Sequence, residues 1–332
     1  MDIMRDKRSE DLSSEIIQGL QFDGLRLPQV LLWDNVGQRL FDDLTRSPGY
    51  YLTRKEEKIL RASAHEMAAT IPAGSALIEL GCGSLQKSGI VLSAIEKLQK
   101  PVSYYALDLS LECLQKGLAE LQKGLGCLRS VQLHGLCGTY DDAISWLADQ
   151  GKQPPNHAIN SVTILWMGNS ITNMGPFQAQ SLLSQLGRAC SQSGIRCQFL
   201  VSVDGCTAED TVMAAYSTNP GPFRDFMMNG LESANRLLGE DVFRRPMWTF
   251  DSVFDRTRHE VQMSYTPTRD VTLCVNGHEF KVSSGEKIAV VTSGKWPAPY
   301  FRSLVEEIGL QVDDLWGDGD QIYYFYRISM PS

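Results

Sequence analysis

Histidine and paired cysteine are scarce in this 332-residue sequence: five histidines (His65, His134, His157, His259, His278) and eight scattered cysteines with no Cys-x-x-Cys pair. Neither set offers zinc-ligand spacing, so no structural metal is expected. Positive charge is also short. Lys and Arg number 31 against 39 Asp and Glu, a formal net charge of −8 and a pI near 5.2. With no Lys/Arg run and no basic stripe carrying aromatics, nucleic acid is excluded as the main partner. Long apolar runs are missing too: none approaches the roughly 18–20 residues of a membrane helix, so no membrane partner is expected. The opening MDIMRDKRSEDLSSE has no apolar stretch, so no secretory signal is expected and a reducing cytoplasm suits the thiols. What remains is ordinary: 43% hydrophobic and 21% charged residues, enough for a buried core. The length suits two domains, or one large domain with an insertion.

Residues 13–60 read as mostly helical, with Val36, Leu40, Phe41 and Leu44 sharing one helix face. The Ser47-Pro48-Gly49 turn interrupts them, and Thr53 is expected to cap a helix over 54–71. The rhythm then changes. Apolar runs at 76–80, 104–109, 131–133, 162–167 and 198–204 alternate with helical patterns near 87–99, 111–123, 141–149 and 176–191. That alternation predicts an α/β parallel sheet covered on both faces. Beyond it come helices near 207–216 and 221–238, strand-like alternation over 258–282, a run at 287–292 and a helix over 299–308. Two last runs, 310–316 and 321–328, flank the Gly317-Asp318-Gly319-Asp320 turn. A terminal antiparallel hairpin would complete a sheet of seven strands.

The best local signal is Leu77-Ile78-Glu79-Leu80-Gly81-Cys82-Gly83-Ser84: a strand with an acid near its end, a Gly-x-Gly loop, then a helix. Glycines allow close backbone approach, and the helix start presents free amides. A dinucleotide fingerprint wants a further glycine where Gln86 stands, which argues against NAD. Asp108, ending the next strand, can take two ribose hydroxyls, so S-adenosylmethionine fits the loop. Two plainer readings stay open: a ligand-free tight turn, and Asp108 as the N-cap of the helix at 111–123.

These residues, with others along the chain, resemble a known family: the histidine-specific-type, adenosylmethionine-dependent α-N-methyltransferases, including the 4-dimethylallyltryptophan enzymes of ergot alkaloid biosynthesis. The resemblance runs over roughly 27–328. It is carried by Leu27-Pro28, Leu40-Phe41-Asp42, Thr45-Arg46, Tyr50-Tyr51-Leu52-Thr53-Arg54, the Glu79–Gly83 loop and Ala106–Ser110. Gly168-Asn169-Ser170-Ile171-Thr172-Asn173 and Gly285-Glu286-Lys287-Ile288 complete it. It implies a Rossmann-like class I methyltransferase sheet with an inserted α+β substrate-binding domain. The implied division is a helical part of the substrate domain over 1–60, a cofactor core over 61–205, the insertion over 206–285, and completion of the core over 286–332. It also implies cofactor contacts at Glu79, Gly81, Gly83, Lys87 and Asp108, and at Thr139-Tyr140 near the adenine. There the family's bacterial histidine enzymes carry an Asp-aromatic pair, so a hydroxyl would replace their carboxylate.

By the same resemblance Tyr50, Asn173 and Tyr216 hold the substrate's amino and carboxylate groups, with Gly168 beside them. Tyr50 and Asn173 would orient the reacting nitrogen. The alternatives are core packing for Tyr50 and Tyr216 and a helix cap for Asn173. Histidine enzymes of the family read the imidazole with a Glu and a Ser two residues apart. Aligned on Gly285–Ile288, those positions are Val291 and Ser293, before Lys295-Trp296. Valine accepts no hydrogen bond, and a site that has lost a polar partner rejects the polar substrate. Trp33 stands where histidine enzymes have Tyr, and Phe223–Met228 adds either substrate surface or core. The expected substrate is therefore a larger, apolar aromatic L-amino acid, 4-dimethylallyl-L-tryptophan first, with histidine or tryptophan as alternatives. A non-catalytic adenosylmethionine-binding protein is the competing class. Oligomeric state is not legible.

Overall fold

The computed structural model describes residues 1–4, 8–21, 24–150 and 159–331. The helices are α1 (Arg8–Gln21), α2 (Asn35–Thr45), α3 (Tyr51–Thr70), α4 (Gln86–Lys97), α5 (Leu111–Leu125), α6 (Tyr140–Gln150), α7 (Pro176–Gln192), α8 (Glu209–Ala215), α9 (Pro222–Leu238) and α10 (Ala298–Glu307). The first strands are β1 (Ser75–Leu80), β2 (Val102–Asp108), β3 (Val131–Cys137), β4 (Ser161–Trp166) and β5 (Arg196–Asp204). Later come β6 (Trp248–Asp255), β7 (Glu260–Pro267), β8 (Val271–Val275), β9 (His278–Val282), β10 (Ile288–Gly294), β11 (Gln311–Gly317) and β12 (Tyr323–Ser329). The chain divides into two compact units: Met1–Arg5, Leu52–Cys206 and Lys295–Ser332 form the first, Asp6–Tyr51 and Thr207–Gly294 the second.

In the first unit a seven-stranded sheet runs β11-β12-β5-β4-β1-β2-β3. The first five strands in sequence are parallel to their neighbours, while β12 is antiparallel to both β5 and β11. This is the expected α/β sheet with its terminal hairpin, in the strand order of class I methyltransferases. Every residue of β1 and of β4 is buried, as strands covered on both faces must be, and that is why they read as unbroken apolar runs. Ile78, Trp166, Val201 and Tyr326 pack with Leu183 and Leu186 of α7 into the main core. The reversal at 317–320 is built by Asp318 rather than by its glycines. Its buried carboxylate accepts from the amides of Ile322 (2.8 Å) and Tyr323 (3.0 Å), and from Lys55 Nζ (2.7 Å).

In the second unit, α1, α2, α8 and α9 accompany an antiparallel sheet of order β10-β7-β6 and a separate β8-β9 hairpin. The alternation over 258–282 thus resolves into β7 and that hairpin, and β6 is a strand the sequence reading omitted. Residues 25–27 join the edge at β10, where Leu27 N donates to Ala289 O (2.8 Å).

Thr53 caps nothing, because α3 already starts at Tyr51. The turn hands the chain straight to it, with Tyr50 N donating to Ser47 O (3.2 Å). Residues 52–60 belong to the first unit and 286–294 to the second: a division at 60 would cut α3, and β10 pairs with β7 in the sheet of the second unit.

Candidate functional site

At the C-terminal ends of β1 and β2 the chain forms the Gly-x-Gly loop. Gly81 (φ +65°), Gly83 (φ +54°) and even Leu85 (φ +59°) take left-handed conformations there. Such angles suit glycine and strain leucine. A methyl group added at Gly83 would meet no atom within 4 Å, whereas at Gly81 it would lie 3.2 Å from the Tyr140 hydroxyl. The loop is therefore open at Gly83 and closed by Tyr140 at Gly81. Leu85 is the N-cap of α4 and supplies no side-chain acceptor, so the first amides of that helix lack the usual cap. The loop lies at the end of β1, where the strand order reverses. There β1 leads to β2 and β3 on one side, and the chain then crosses from β3 to β4 on the other side of β1, the switch point at which α/β sheets bind ligands.

Asp108 closes β2 with one carboxylate oxygen accepting from Gly83 N (3.0 Å) and the other from Leu109 N (2.7 Å). It does not cap α5. Ser110 does, its hydroxyl accepting from Cys113 N at 3.2 Å. Glu79 lies fully inside β1, where Tyr104 donates to it at 2.5 Å. Burial pushes its carboxyl up to about 7, against the pull of the Tyr104 hydroxyl and the Lys87 charge. Its side chain is thus engaged inside the sheet by Tyr104 of β2.

Thr139 and Tyr140 behave differently from each other. The Thr139 hydroxyl accepts from Asp142 N (2.9 Å) while the Asp142 carboxylate accepts from Thr139 N (2.8 Å), a reciprocal cap on α6. That hydroxyl is already engaged in the helix cap. Tyr140 stands edge-on to Trp166, 5.3 Å between ring centres. Burial, with the Asp108 charge, pushes its phenol up to about 12.

Beyond β4, Gly168 (φ +78°) and Asn169 (φ +61°) are both left-handed and lead into a short 3-10 helix, Ser170–Asn173. Asn173 ends that turn and does not cap α7, whose N-cap is Gly175. The Asn169 side chain accepts from Asp204 N (2.8 Å), and Asp204 pairs with Lys295 at 3.0 Å, both side chains fully buried. Lys295 is thus a structural cation. Lys87 Nζ lies 2.5 Å from the buried Glu56 carboxylate. Sequence reasoning passed over Glu56, although it shares the buried face of α3 with Leu52, Ile59 and Leu60, and a lone acid on an apolar helix face was the available signal.

The second unit brings together the other expected residues. Tyr50 and Tyr216 are buried, their rings 6.3 Å apart. The Tyr216 and Ser293 hydroxyls share a 2.8 Å hydrogen bond. Phe41 stands between neighbours, 6.0 Å from Tyr50 and 5.0 Å from Trp33, with Phe226 at 5.3 Å from Phe41 and 5.1 Å from Trp33. Phe223 packs on Tyr216 at 5.1 Å and on Phe250 at 5.6 Å. Phe223–Met228 is therefore partly core and partly aromatic wall: Met227 and Met228 are buried, while Phe223 also touches Tyr216 and Phe226 touches Trp33 and Phe41. Val291 and Ser293 follow a bulge in β10 between Ala289 and Val291, and being two residues apart they share one face of the strand.

The sheet order, the open Gly-x-Gly loop and the acid ending β2 together define a class I, S-adenosylmethionine-dependent methyltransferase, and the loop residues fit that cofactor. Among the described residues no cluster of His, Cys, Asp or Glu could hold a metal, and no helix is long and apolar enough to cross a membrane. The model of the family "Histidine-specific methyltransferase, SAM-dependent" matches residues 12–330, and the chain belongs to that family. It is 63% identical to the N-methyltransferase dtpB of Aspergillus flavus, over 97% of this chain and 90% of that one. It is 34% identical to ergothioneine biosynthesis protein 1 of Neurospora crassa, over 90% of this chain and 33% of that one. It is also 30% identical to the 4-dimethylallyltryptophan N-methyltransferase easF of Epichloe festucae var. lolii, over 95% of this chain and 94% of that one. The protein is an S-adenosylmethionine-dependent N-methyltransferase.

Proposed function

We propose that this enzyme methylates the α-nitrogen of an L-amino acid with an apolar aromatic side chain, 4-dimethylallyl-L-tryptophan being the first candidate. The observation that carries this reading is the linked set of rings Trp33, Phe41, Tyr50, Tyr216, Phe223 and Phe226, with Val291 where a histidine reader carries a carboxylate. Rings stacked edge-on suit a flat apolar group, and no carboxylate stands at that position to receive an imidazole N–H. Similarity alone does not choose the substrate, because the ergothioneine and dimethylallyltryptophan relatives are about equally distant.

Bound S-adenosylmethionine supplies an electrophilic methyl group on its sulfonium. Asp108 would take its ribose hydroxyls, and the Gly81–Gly83 backbone would receive its amino-acid end. Tyr50, Asn173 and Tyr216 orient the substrate's amino and carboxylate groups. The amine attacks as the neutral base, so the N–CH3 bond forms as the S–CH3 bond breaks, and the nitrogen gives up its proton to solvent. Such a displacement asks the protein for orientation and water exclusion rather than a covalent intermediate. An alkaloid or other secondary-metabolic setting goes with this substrate, and the free thiols suit a reducing cytoplasm.

Calorimetry with adenosylhomocysteine present tests the reading. 4-Dimethylallyl-L-tryptophan is expected to bind, L-tryptophan more weakly and L-histidine weakest. Histidine binding tightest would overturn the role given to Val291, and cofactor binding with no response to any amino acid would overturn the substrate class.

A further inference from the structure

Glu56 is buried to 1% exposure, yet its carboxylate is fully used. One oxygen accepts from Gly168 N at 2.6 Å and from Ser202 Oγ at 2.5 Å, and the other lies 2.5 Å from Lys87 Nζ. One acid on α3 therefore joins the first turn of α4, the left-handed loop after β4 and the end of β5. All three elements meet at the ligand-binding end of the sheet. A methyl group at Gly168 would lie 3.2 Å from Lys87 Nζ, so the loop and the ammonium touch each other as well as Glu56.

A buried ion pair is a poor device for stability, since well-packed apolar residues of the same volume often serve as well or better. Its location offers a different use. The one anionic group of S-adenosylmethionine is its α-carboxylate, and Lys87, about a quarter exposed, is a cation in the first turn of the helix that follows the Gly-x-Gly loop.

We propose that Glu56 is a positioning residue: it aims the Lys87 ammonium at the cofactor's carboxylate and, through the Gly168 amide, fixes the turn that carries Asn173. This rests on the reading that Lys87 meets the bound cofactor. Glu56 touches neither substrate nor cofactor. It couples occupation of the cofactor's amino-acid end to the placement of the 168–173 loop.

The test compares two nucleosides by calorimetry: adenosylhomocysteine, and 5′-methylthioadenosine, which keeps the adenosine and sulfur but lacks the amino-acid tail. In the wild type the first binds more tightly. Lys87→Met and Glu56→Gln are each expected to shrink the affinity ratio about tenfold, the size of one charge-assisted hydrogen bond, with methylthioadenosine binding held within about twofold. The double variant is expected to lose little more than either single one, because the two side chains act as a unit. If Lys87→Met leaves the ratio unchanged, the reading of Lys87 is wrong and the proposal falls with it. If Lys87→Met shrinks the ratio while Glu56→Gln leaves it alone, or weakens both nucleosides equally, the role of Glu56 is purely structural and the proposal is overturned. Should Glu56→Gln fail to fold, Glu56→Asp keeps the charge but draws it back from Lys87. The same selective loss is then expected, and an equal loss for both nucleosides would contradict it.

Discussion

The polar groups of the first unit and the aromatic cluster of the second are built differently. In the first, charges are buried and each is answered: Glu56 by Lys87, Gly168 and Ser202, Asp204 by Lys295, Asp318 by Lys55 and two amides. In the second, Tyr50 and Tyr216 stand among rings, and the Tyr216 and Ser293 hydroxyls bond each other. A cofactor with fixed charges is met by fixed charges. A substrate distinguished by an apolar side chain calls for apolar walls that reject polar competitors by offering them no partner. On the function proposed above, the contrast separates a generic unit, whose chemistry any methyl acceptor could use, from one that decides which acceptor is taken.

The strongest way to break this contrast is to disable the first unit alone. Asp108→Ala removes the acceptor proposed for two ribose hydroxyls, worth about 1.5–3 kcal/mol each when the acceptor is charged. Adenosylhomocysteine affinity measured by calorimetry is expected to fall about a hundredfold or more. A loss of only a few-fold would mean that the ribose is held elsewhere.

Next in size is a polar intrusion into the second unit. Val291→Glu supplies a carboxylate on the face shared with Ser293. The ratio of kcat/KM for L-histidine to that for the prenylated amino acid is expected to rise roughly tenfold or more. An unchanged ratio would show that this strand position does not face the acceptor.

The buried acid of β1 gives a pH signature confined to the first unit. Glu79 releases its proton near 4.5 in the unfolded chain but only at about 7 in the folded one. Between those values the folded state binds more protons, so this group's contribution to stability declines as pH rises, and it levels off above about 7. Glu79→Gln removes that component. The melting temperature of the variant relative to wild type is expected to climb from pH 4.5 to pH 7, and a constant difference would mean that Glu79 is charged throughout.

The smallest effect sharpens the contrast. Tyr216→Phe deletes one side of the hydroxyl pair and should cost about 1 kcal/mol of stability in denaturant unfolding. Adenosylhomocysteine affinity should be unaltered, and a loss of cofactor binding would contradict the separation of roles.

Legibility in the sequence followed the same divide. Strands β1 and β4 were readable because burial on both faces writes a continuous apolar run, and the Gly81–Gly83 loop because left-handed backbone demands glycine. Leu85 and Asn169 adopt that backbone without being glycine, so no local pattern announced them. Strand β6, with Trp248 and Phe250 buried but Asp251 and Ser252 only half-buried, alternates too weakly to stand out. Thr139 was read as a ligand contact because its hydroxyl is the right chemistry, yet Thr139-Tyr140-Asp141-Asp142 is also a helix-start signature, and that is how the hydroxyl is used. Glu56 was missed because its three donors come from residues 87, 168 and 202, and no local window contains them.

The most direct measurement is methyl transfer itself: the protein, S-adenosylmethionine and equimolar 4-dimethylallyl-L-tryptophan, L-tryptophan and L-histidine in one vessel, with products separated by mass spectrometry and the methyl located by fragmentation. The expected result is a methyl group on the α-nitrogen of the prenylated amino acid, with histidine unmodified. Methylated histidine as the main product would contradict it.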